Sequence, residues 1–261
     1  MGKFDGILLC SDWDGTLFDG TSIPENNIEA IRYFQKNGGT FSLASGRYAG
    51  HFKQFADKIQ PNTDMICVGG SCIMSLDGEI FYERFCNDRF EEYAKLLMRA
   101  DSPYEQVQVT LRGHSPFIYD KASILSEEAH SVLSQKTIYK AIFLTPQTKE
   151  AELAALAYCA PLSFEGYIPM RSFPFSVELI PENGGKGNAV RWLAKKIGAR
   201  LVVAVGDYEN DCDMLKIADY GYAVTGGSPL ARASANRFAA SVKMGAVASV
   251  IEELDSELSI P

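Results

Sequence analysis

The sequence predicts an α/β protein in which a parallel sheet is interrupted by an inserted α+β domain. Short, continuous apolar runs at 6–10 and 201–205 are typical of parallel strands that are buried on both faces. From about residue 85 the pattern changes to short alternating strands and helices, and a glycine-rich junction returns near residue 183. The α/β pattern therefore begins, is interrupted and resumes.

Local patterns give the order of the elements in the core. Ile28, Ile31 and Phe34 share one face of a helix that begins after Pro24. Alternation of strands with helices predicts a Rossmann-like parallel sheet with covering helices. In chain order the predicted elements are a strand at 6–10, this helix, strands at 40–44 and 64–68, a hairpin turn at 76–79, a helix at 186–196 and a strand at 201–205.

The inserted segment has an alternation of its own and is about a hundred residues long, which is an ordinary size for a domain. We therefore expect a core formed by 1–84 and 182–261 and an inserted domain at 85–181. The elements predicted in the insert are helices at 89–99, 126–135 and 149–159 and strands at 107–111, 116–119, 139–144, 163–168 and 175–180.

Composition excludes several classes of protein. The 261 residues are 46% hydrophobic and 22% charged, which is typical of globular domains and argues against disorder or a coiled coil. The net charge of −8, without a block of Lys or Arg, argues against nucleic acid and anionic membrane surfaces as partners. We expect neither a membrane span nor a signal peptide, and a monomer or weak homo-oligomer.

The cysteines indicate the redox compartment. Six are scattered along the chain, mostly in apolar runs, and none forms a CxxC pair. This pattern predicts reduced thiols in the core of a cytoplasmic protein, with a zinc site as the alternative.

Polar clusters follow the predicted strands where each strand ends, and one lies at the start of a helix. In open α/β sheets ligands bind beyond the carboxyl ends of the strands, so we expect these clusters to converge. Carboxylates suit Mg²⁺, whereas lysine, hydroxyls and free amides suit an anion such as phosphate. This combination indicates phosphoryl transfer. The clusters are Asp12, Asp14 and Thr16; Ser45 and Arg47; Lys186; and Asp207, Asn210 and Asp211.

These clusters resemble, in order, the four motifs of the haloacid dehalogenase superfamily. Residues 12–16, Asp-Trp-Asp-Gly-Thr, resemble the first motif, DxDGT, and 206–211, Gly-Asp-Tyr-Glu-Asn-Asp, resemble the fourth, GDxxND. Ser45 and Lys186 resemble the key residues of the second and third. The position of the insert, and Glu-Leu-Ile-Pro at 178–181, resemble the Cof-type sugar-phosphatase branch, in which a large α/β cap lies between the second and third motifs.

The resemblance implies the roles of the acidic residues. Asp12 would be the nucleophile that forms an aspartyl-phosphate, with its other oxygen on Mg²⁺. Asp14 would be the general acid and then the general base, and its backbone carbonyl would be a second metal ligand. Asp207 would be the third protein ligand, and Asp211 would orient metal-bound water or Lys186.

The resemblance also implies how a phosphoryl group is held. Thr16, Ser45 and Lys186 would contact its oxygens, and Lys186 lies in the first turn of a predicted helix, where free N–H groups favour an anion. Asn210 would contact the substrate phosphate, and Gly46 would let the backbone approach closely.

Arg47 is open between two roles, because it would either contact substrate or pair with a carboxylate. The function implied is a Mg²⁺-dependent phosphatase that acts on a small phosphorylated metabolite, with a sugar phosphate as the expected class. A phosphomutase or phosphotransferase of the same superfamily and a non-catalytic phosphometabolite sensor are the alternatives. A sensor would be free to lose its catalytic carboxylates, whereas Asp12 and Asp14 are both present.

Overall fold

The computed structural model describes residues 2–258, which divide into two compact units. One unit comprises the chain up to Glu83 together with the chain from Gly185 onward, and the other comprises Arg84–Gly184. That the core 1–84 and 182–261 is catalytic, and that the domain at 85–181 selects the substrate, stay predictions.

The strands are β1 (Ile7–Ser11), β2 (Thr40–Leu43), β3 (Met65–Cys67), β4 (Cys72–Met74), β5 (Ile80–Glu83), β6 (Gln106–Leu111), β7 (Phe117–Asp120), β8 (Ile138–Leu144), β9 (Tyr167–Met170), β10 (Ser176–Pro181), β11 (Leu201–Gly206), β12 (Tyr220–Val224) and β13 (Arg237–Ala239). The α-helices are α1 (Glu25–Lys36), α2 (Ala49–Phe52), α3 (Phe90–Leu97), α4 (Glu127–Leu133), α5 (Lys149–Cys159), α6 (Lys186–Ile197), α7 (Cys212–Ile217), α8 (Pro229–Ser234) and α9 (Ala246–Glu257).

The first unit is built on a parallel sheet with the strand order β13-β12-β11-β1-β2. The strand β1, which lies between β11 and β2, is buried along its whole length, as its continuous apolar run predicts. Cys10 pairs with Ala204 of β11, and Ser11 pairs with Leu43 of β2, so the carboxyl ends of the three strands lie at one edge. The predicted α/β fold class is thus confirmed. The polar clusters predicted after the strands follow the strand ends at this edge.

Helices that carry site residues pack directly on this sheet. Leu8 and Cys10 of β1 share a hydrophobic cluster with Val190 of α6 and Met214 of α7. On α1 the predicted apolar face is buried, and α1 packs against α9. The packing fixes the first turns of α6 and α7 relative to the end of β1.

The second unit is an antiparallel sheet with the strand order β7-β6-β8-β10-β9 and helices α3, α4 and α5 packed on it. This confirms the predicted α+β insert. The strand predicted at 163–168 lies instead at Tyr167–Met170, because a turn at Gly166, with φ of +82°, precedes it. Pro169 is tolerated because β9 is an edge strand, where a missing N–H breaks no ladder on the outer side.

The six cysteines are free thiols, and Cys10, Cys67, Cys72 and Cys86 are buried. Burial raises the pKa of Cys10 and Cys67 to about 12, which is the behaviour of thiols that pack as small apolar groups. Among residues 2–258, none of the helices combines the length and apolar character needed to cross a bilayer.

Candidate active site

The carboxyl edge of the parallel sheet gathers the acidic residues. Asp12 directly follows β1, and its N–H donates to the carbonyl of Val205 at 2.9 Å, which ties the loop to the neighbouring strand. Asp207 directly follows β11. Because the two strands are parallel neighbours, the chain brings both carboxylates to one place from positions 195 residues apart.

Lys186 lies at the centre of this cluster. Its Nζ donates to Oδ1 of Asp12 at 2.6 Å and to Oδ1 of Asp211 at 2.6 Å. The side chains of Lys186 and Asp211 are completely buried, and that of Asp12 is 7% exposed. Loss of the lysine from this buried network would leave two carboxylates without their partner, whereas loss of Asp12 leaves Lys186 paired with Asp211.

Asp207 is held by the loop that follows β1. Thr16 Oγ1 donates to Asp207 Oδ1 at 2.9 Å. Gly15 has a φ of +86°, and a Cβ there would lie 2.6 Å from Asp207 Oδ2. Only glycine fits between the loop and this carboxylate, which gives the physical reason for the glycine of the DxDGT segment.

Asp211 connects the lysine with the backbone of its own loop. Its Oδ1 accepts from Lys186, while its Oδ2 accepts from the N–H groups of Asp207 and Tyr208 at 2.9 and 3.0 Å. Both oxygens are therefore engaged, and the contact with Lys186 is one of the two roles that the resemblance implies.

The cluster holds an excess of negative charge. Burial, and then repulsion from Asp211, raises the pKa of Asp12 well above its usual value, although Lys186 opposes this. The same causes raise the pKa of Asp207 to about 7. For Lys186, burial lowers the pKa, but the carboxylates of Asp12 and Asp211 outweigh it and the net shift is upward. The ammonium is therefore retained, and one lysine faces three carboxylates.

This donor set fits a hard divalent cation. Asp12, Asp207 and Asp211 each offer a carboxylate oxygen, and these oxygens lie within 4.8 Å of one another. Oxygen-only ligands suit Mg²⁺ rather than zinc, and a dication would offset the repulsion that raises the pKa of Asp207.

The side chain of Asp14 is paired with Arg47 rather than with Lys186. Arg47 donates two hydrogen bonds to the carboxylate of Asp14, from Nε to Oδ2 at 2.8 Å and from Nη2 to Oδ1 at 2.7 Å. Of the two roles left open for Arg47, the structure therefore shows pairing with a carboxylate. Both side chains are about half exposed, at 42% for Arg47 and 51% for Asp14.

The Arg47–Asp14 pair is expected to add little to stability. Exposed ion pairs contribute about 0–1 kcal/mol, so Arg47→Ala should lower the free energy of unfolding by no more than about 1 kcal/mol. Arg237 provides a contrast, because it is more buried and contacts both Glu253 and Glu257. Urea unfolding of both alanine variants checks this, and an Arg47→Ala loss as large as that of Arg237→Ala would contradict it.

The remaining predicted residues line the same edge of the sheet. Ser45 is buried two residues after the end of β2, and its Oγ accepts the N–H of Arg47 at 3.2 Å. Gly46 is exposed in the loop, and Asn210 is half-buried in the short 3₁₀ segment Glu209–Asp211. The structure thus brings Asp12, Thr16, Lys186, Asp207 and Asp211 into direct contact with one another, whereas the side chains of Asp14 and Arg47 form a separate pair.

Sequence reasoning missed two supporting features. The loop after β3 donates from Val68 N to Arg47 O at 3.1 Å and from Gly69 N to Ser45 O at 2.9 Å, so it holds the second motif. Asp213 accepts the N–H of Gly187 at 2.8 Å, which occupies one of the free helix amides that the sequence offers to an anion. Neither feature has a distinctive sequence signal, because glycines in a loop and an aspartate in the first turn of a helix are both common.

Comparison with known proteins identifies the family of the chain. A profile of the haloacid dehalogenase-like hydrolase family matches residues 9–251. The uncharacterized hydrolase C215.10 of Schizosaccharomyces pombe is 34% identical over 95% of this chain and 90% of its own. The phosphoglycolate phosphatase of Pyrobaculum aerophilum is 27% identical over 87% of this chain and 86% of its own.

Solved structures agree on the fold. The sugar phosphatase BT4131, of subclass IIB in the same superfamily, superposes with a TM-score of 0.74 at 18% identity, covering 95% of this chain and 98% of that one. The chain therefore belongs to the haloacid dehalogenase-like hydrolases, in their Cof-type branch, and is an enzyme of the phosphatase class.

Proposed function

We propose that this enzyme is a Mg²⁺-dependent phosphatase that hydrolyses a small phosphorylated metabolite through a phosphoryl group on Asp12. The observation that carries the proposal is the buried contact of Lys186 with Asp12 and Asp211, with Asp207 beside them. A strand end that presents a carboxylate, an ammonium and a cation site at one point supplies the nucleophile and the charge that phosphoryl transfer requires.

Asp12 acts as the nucleophile. Its contact with Lys186 uses Oδ1, and the bond fixes the direction of the carboxylate. A carboxylate oxygen attacks phosphorus, the new O–P bond forms, and the ester O–P bond to the leaving alcohol breaks. Water then attacks the phosphorus of the aspartyl-phosphate, which releases inorganic phosphate and restores the Asp12 carboxylate.

Asp14 is the general acid of the first step and the general base of the second. It gives a proton to the leaving alkoxide, and it takes one from the attacking water, so the carboxyl returns to its starting state. Arg47 holds both carboxylate oxygens of Asp14, so this bond must loosen for Asp14 to reach the substrate.

The phosphoryl oxygens are held by Lys186, Thr16 and Ser45, with Asn210 as a further contact to the phosphate. We assign the carboxylates of Asp12 and Asp207 and the backbone carbonyl of Asp14 as the Mg²⁺ ligands. When bound, the cation neutralises negative charge on the phosphoryl group and on the nucleophile. Positioning and charge provide most of the rate in this chemistry, so the residues that hold the phosphoryl group and the cation must be rigid.

A sugar or polyol phosphate is the substrate class we propose. The support is the Cof-type pattern of the chain and a fold shared with a sugar phosphatase. We assign the choice of the leaving alcohol to the inserted domain at 85–181.

Phosphate release from a panel of sugar phosphates, carboxylate-bearing phosphates and an aryl phosphate tests the proposal. Release that requires Mg²⁺, stops with EDTA and is absent from Asp12→Ala is the expected result. Transfer of the phosphoryl group to a second sugar, with little free phosphate per substrate consumed, would favour a mutase. Absence of release from folded protein that binds the phosphorylated compounds would favour a sensor.

A further inference from the structure

One partly buried carboxylate near the site has no part in the steps above. Asp213 lies on α7, and its Oδ2 accepts the backbone N–H of Gly187, in the first turn of α6, at 2.8 Å. Its Oδ1 accepts the N–H of Met214 at 2.8 Å. Burial raises the pKa of Asp213 although these bonds oppose it, so the side chain is a costly group to keep there for packing alone.

The two helices touch at this point. A Cβ on Gly187 would lie 2.9 Å from the carbonyl carbon and oxygen of Asp213, so only glycine lets the backbones approach this closely. The approach is what allows the short side chain of Asp213 to reach the neighbouring helix. α6 has no side-chain cap of its own, because its N-cap residue is Gly185. Asp213 therefore supplies from α7 the cap that α6 lacks.

One short segment, 211–213, contacts both the side-chain ammonium of Lys186 and the backbone next to it. Asp211 binds the ammonium at 2.6 Å, and Asp213, two residues later, binds the peptide N–H that directly follows the Lys186 backbone. A lysine side chain has four rotatable bonds, so the position of its ammonium is well defined only if the backbone of the lysine is also fixed.

We propose that Asp213 is a positioning residue for Lys186, and this inference rests on the proposed function of that lysine. By fixing the first turn of α6, Asp213 keeps the ammonium at the point where it meets Asp12 and the transferred phosphoryl group. Since Gly187 N–H is already used by Asp213, the positive charge at this point comes from the lysine side chain rather than from that amide.

The chain contains a matched control. Asn27 of α1 is fully buried, and its Oδ1 accepts the N–H of Ala248 in the first turn of α9 at 2.8 Å. This is the same kind of contact between two helices of the same unit, but α9 carries none of the site residues. Asn27→Ala therefore removes an equivalent helix cap without touching Lys186.

The test compares Asp213→Ala, Asp213→Asn and Asn27→Ala by hydrolysis of an aryl phosphate and by melting temperature. Displacement of a catalytic group by about 1 Å can cost roughly a hundredfold in rate, so Asp213→Ala should lower kcat by about 10- to 100-fold, with a smaller change in KM. Asp213→Asn keeps an oxygen for Gly187 N–H and should recover most of kcat. Asn27→Ala should lower the melting temperature comparably and leave kcat within about twofold of wild type.

A second measurement does not depend on activity. Lys186 is completely buried, so its acylation by acetic anhydride, followed peptide by peptide in the mass spectrometer, should be slow in the wild type. The rate should rise in Asp213→Ala and stay low in Asn27→Ala. An unchanged rate in Asp213→Ala, or a kcat loss of equal size in Asn27→Ala, would overturn the inference. A wild-type protein that releases no phosphate, but shows the predicted acylation pattern, would contradict the proposed function and retain the placement of Lys186 by Asp213.

Discussion

Asp12→Asn is expected to lower phosphate release by at least about 10³-fold, because an amide oxygen cannot form the aspartyl-phosphate and removal of a nucleophile leaves only binding and charge effects. The protein should still fold. Burial raises the pKa of Asp12, so its ionised form opposes folding of the metal-free protein at neutral pH. Lys186 also keeps its bond to Asp211 when Asp12 is replaced.

The measurement is kcat at saturating Mg²⁺ together with urea unfolding in EDTA. Asp101→Asn is a suitable control, since Asp101 is exposed and pairs only with Arg99 among the contacts described. We expect the control to keep wild-type values in both assays. Mg²⁺-dependent hydrolysis by Asp12→Asn at a tenth of the wild-type rate would rule out Asp12 as the nucleophile.

Asp207→Asn is expected to abolish the response to Mg²⁺ and to stabilise the metal-free protein. Burial, followed by repulsion from Asp211, raises the pKa of Asp207 from 3.8 to about 7. A carboxyl whose pKa is raised by folding favours the folded state at low pH, and this stabilisation is lost as the pH rises from about 4 to about 7. Above pH 7 the ionised Asp207 therefore opposes folding, by about 2–4 kcal/mol from a shift of this size, and a neutral amide removes the cost.

Melting temperatures at pH 5.5 and pH 8, in EDTA and in Mg²⁺, test this expectation. In EDTA at pH 8 the variant should melt several degrees above the wild type, and the difference should shrink at pH 5.5. Mg²⁺ should raise the melting temperature of the wild type at pH 8 and leave that of the variant unchanged. Asp64→Asn serves as the control, because Asp64 pairs with Lys196 outside the cluster. A variant that melts below the wild type in EDTA at pH 8 would contradict the account of the charge in this site.

Much of the fold could be predicted because its signals are local. A run of apolar residues identifies β1 as a strand buried on both faces, and a helical period identifies the buried face of α1. The order of elements then fixes a parallel sheet, and the carboxyl ends of its strands bring together Asp12 and Asp207.

The features that could not be predicted depend on contacts between distant segments. Whether Arg47 meets a substrate or Asp14 depends on the direction of a long side chain, which its neighbours in sequence do not determine. The bond between Asp213 and Gly187 depends on how closely two helices approach. The shift of β9 depends on a turn at Gly166, whose φ value the apolar pattern does not encode.

The most direct test of the central claim is to trap the phosphoryl group on the enzyme. Asp14→Asn should still react with an activated aryl phosphate, whose leaving group needs no proton, but it should hydrolyse the aspartyl-phosphate slowly because the general base is missing. After rapid acid quenching, mass spectrometry should find the mass of one phosphoryl group on the peptide that contains Asp12. The label should disappear when Asp12 is also replaced by Asn. A phosphoryl group on any other residue, or turnover by Asp14→Asn without label on Asp12, would contradict the mechanism.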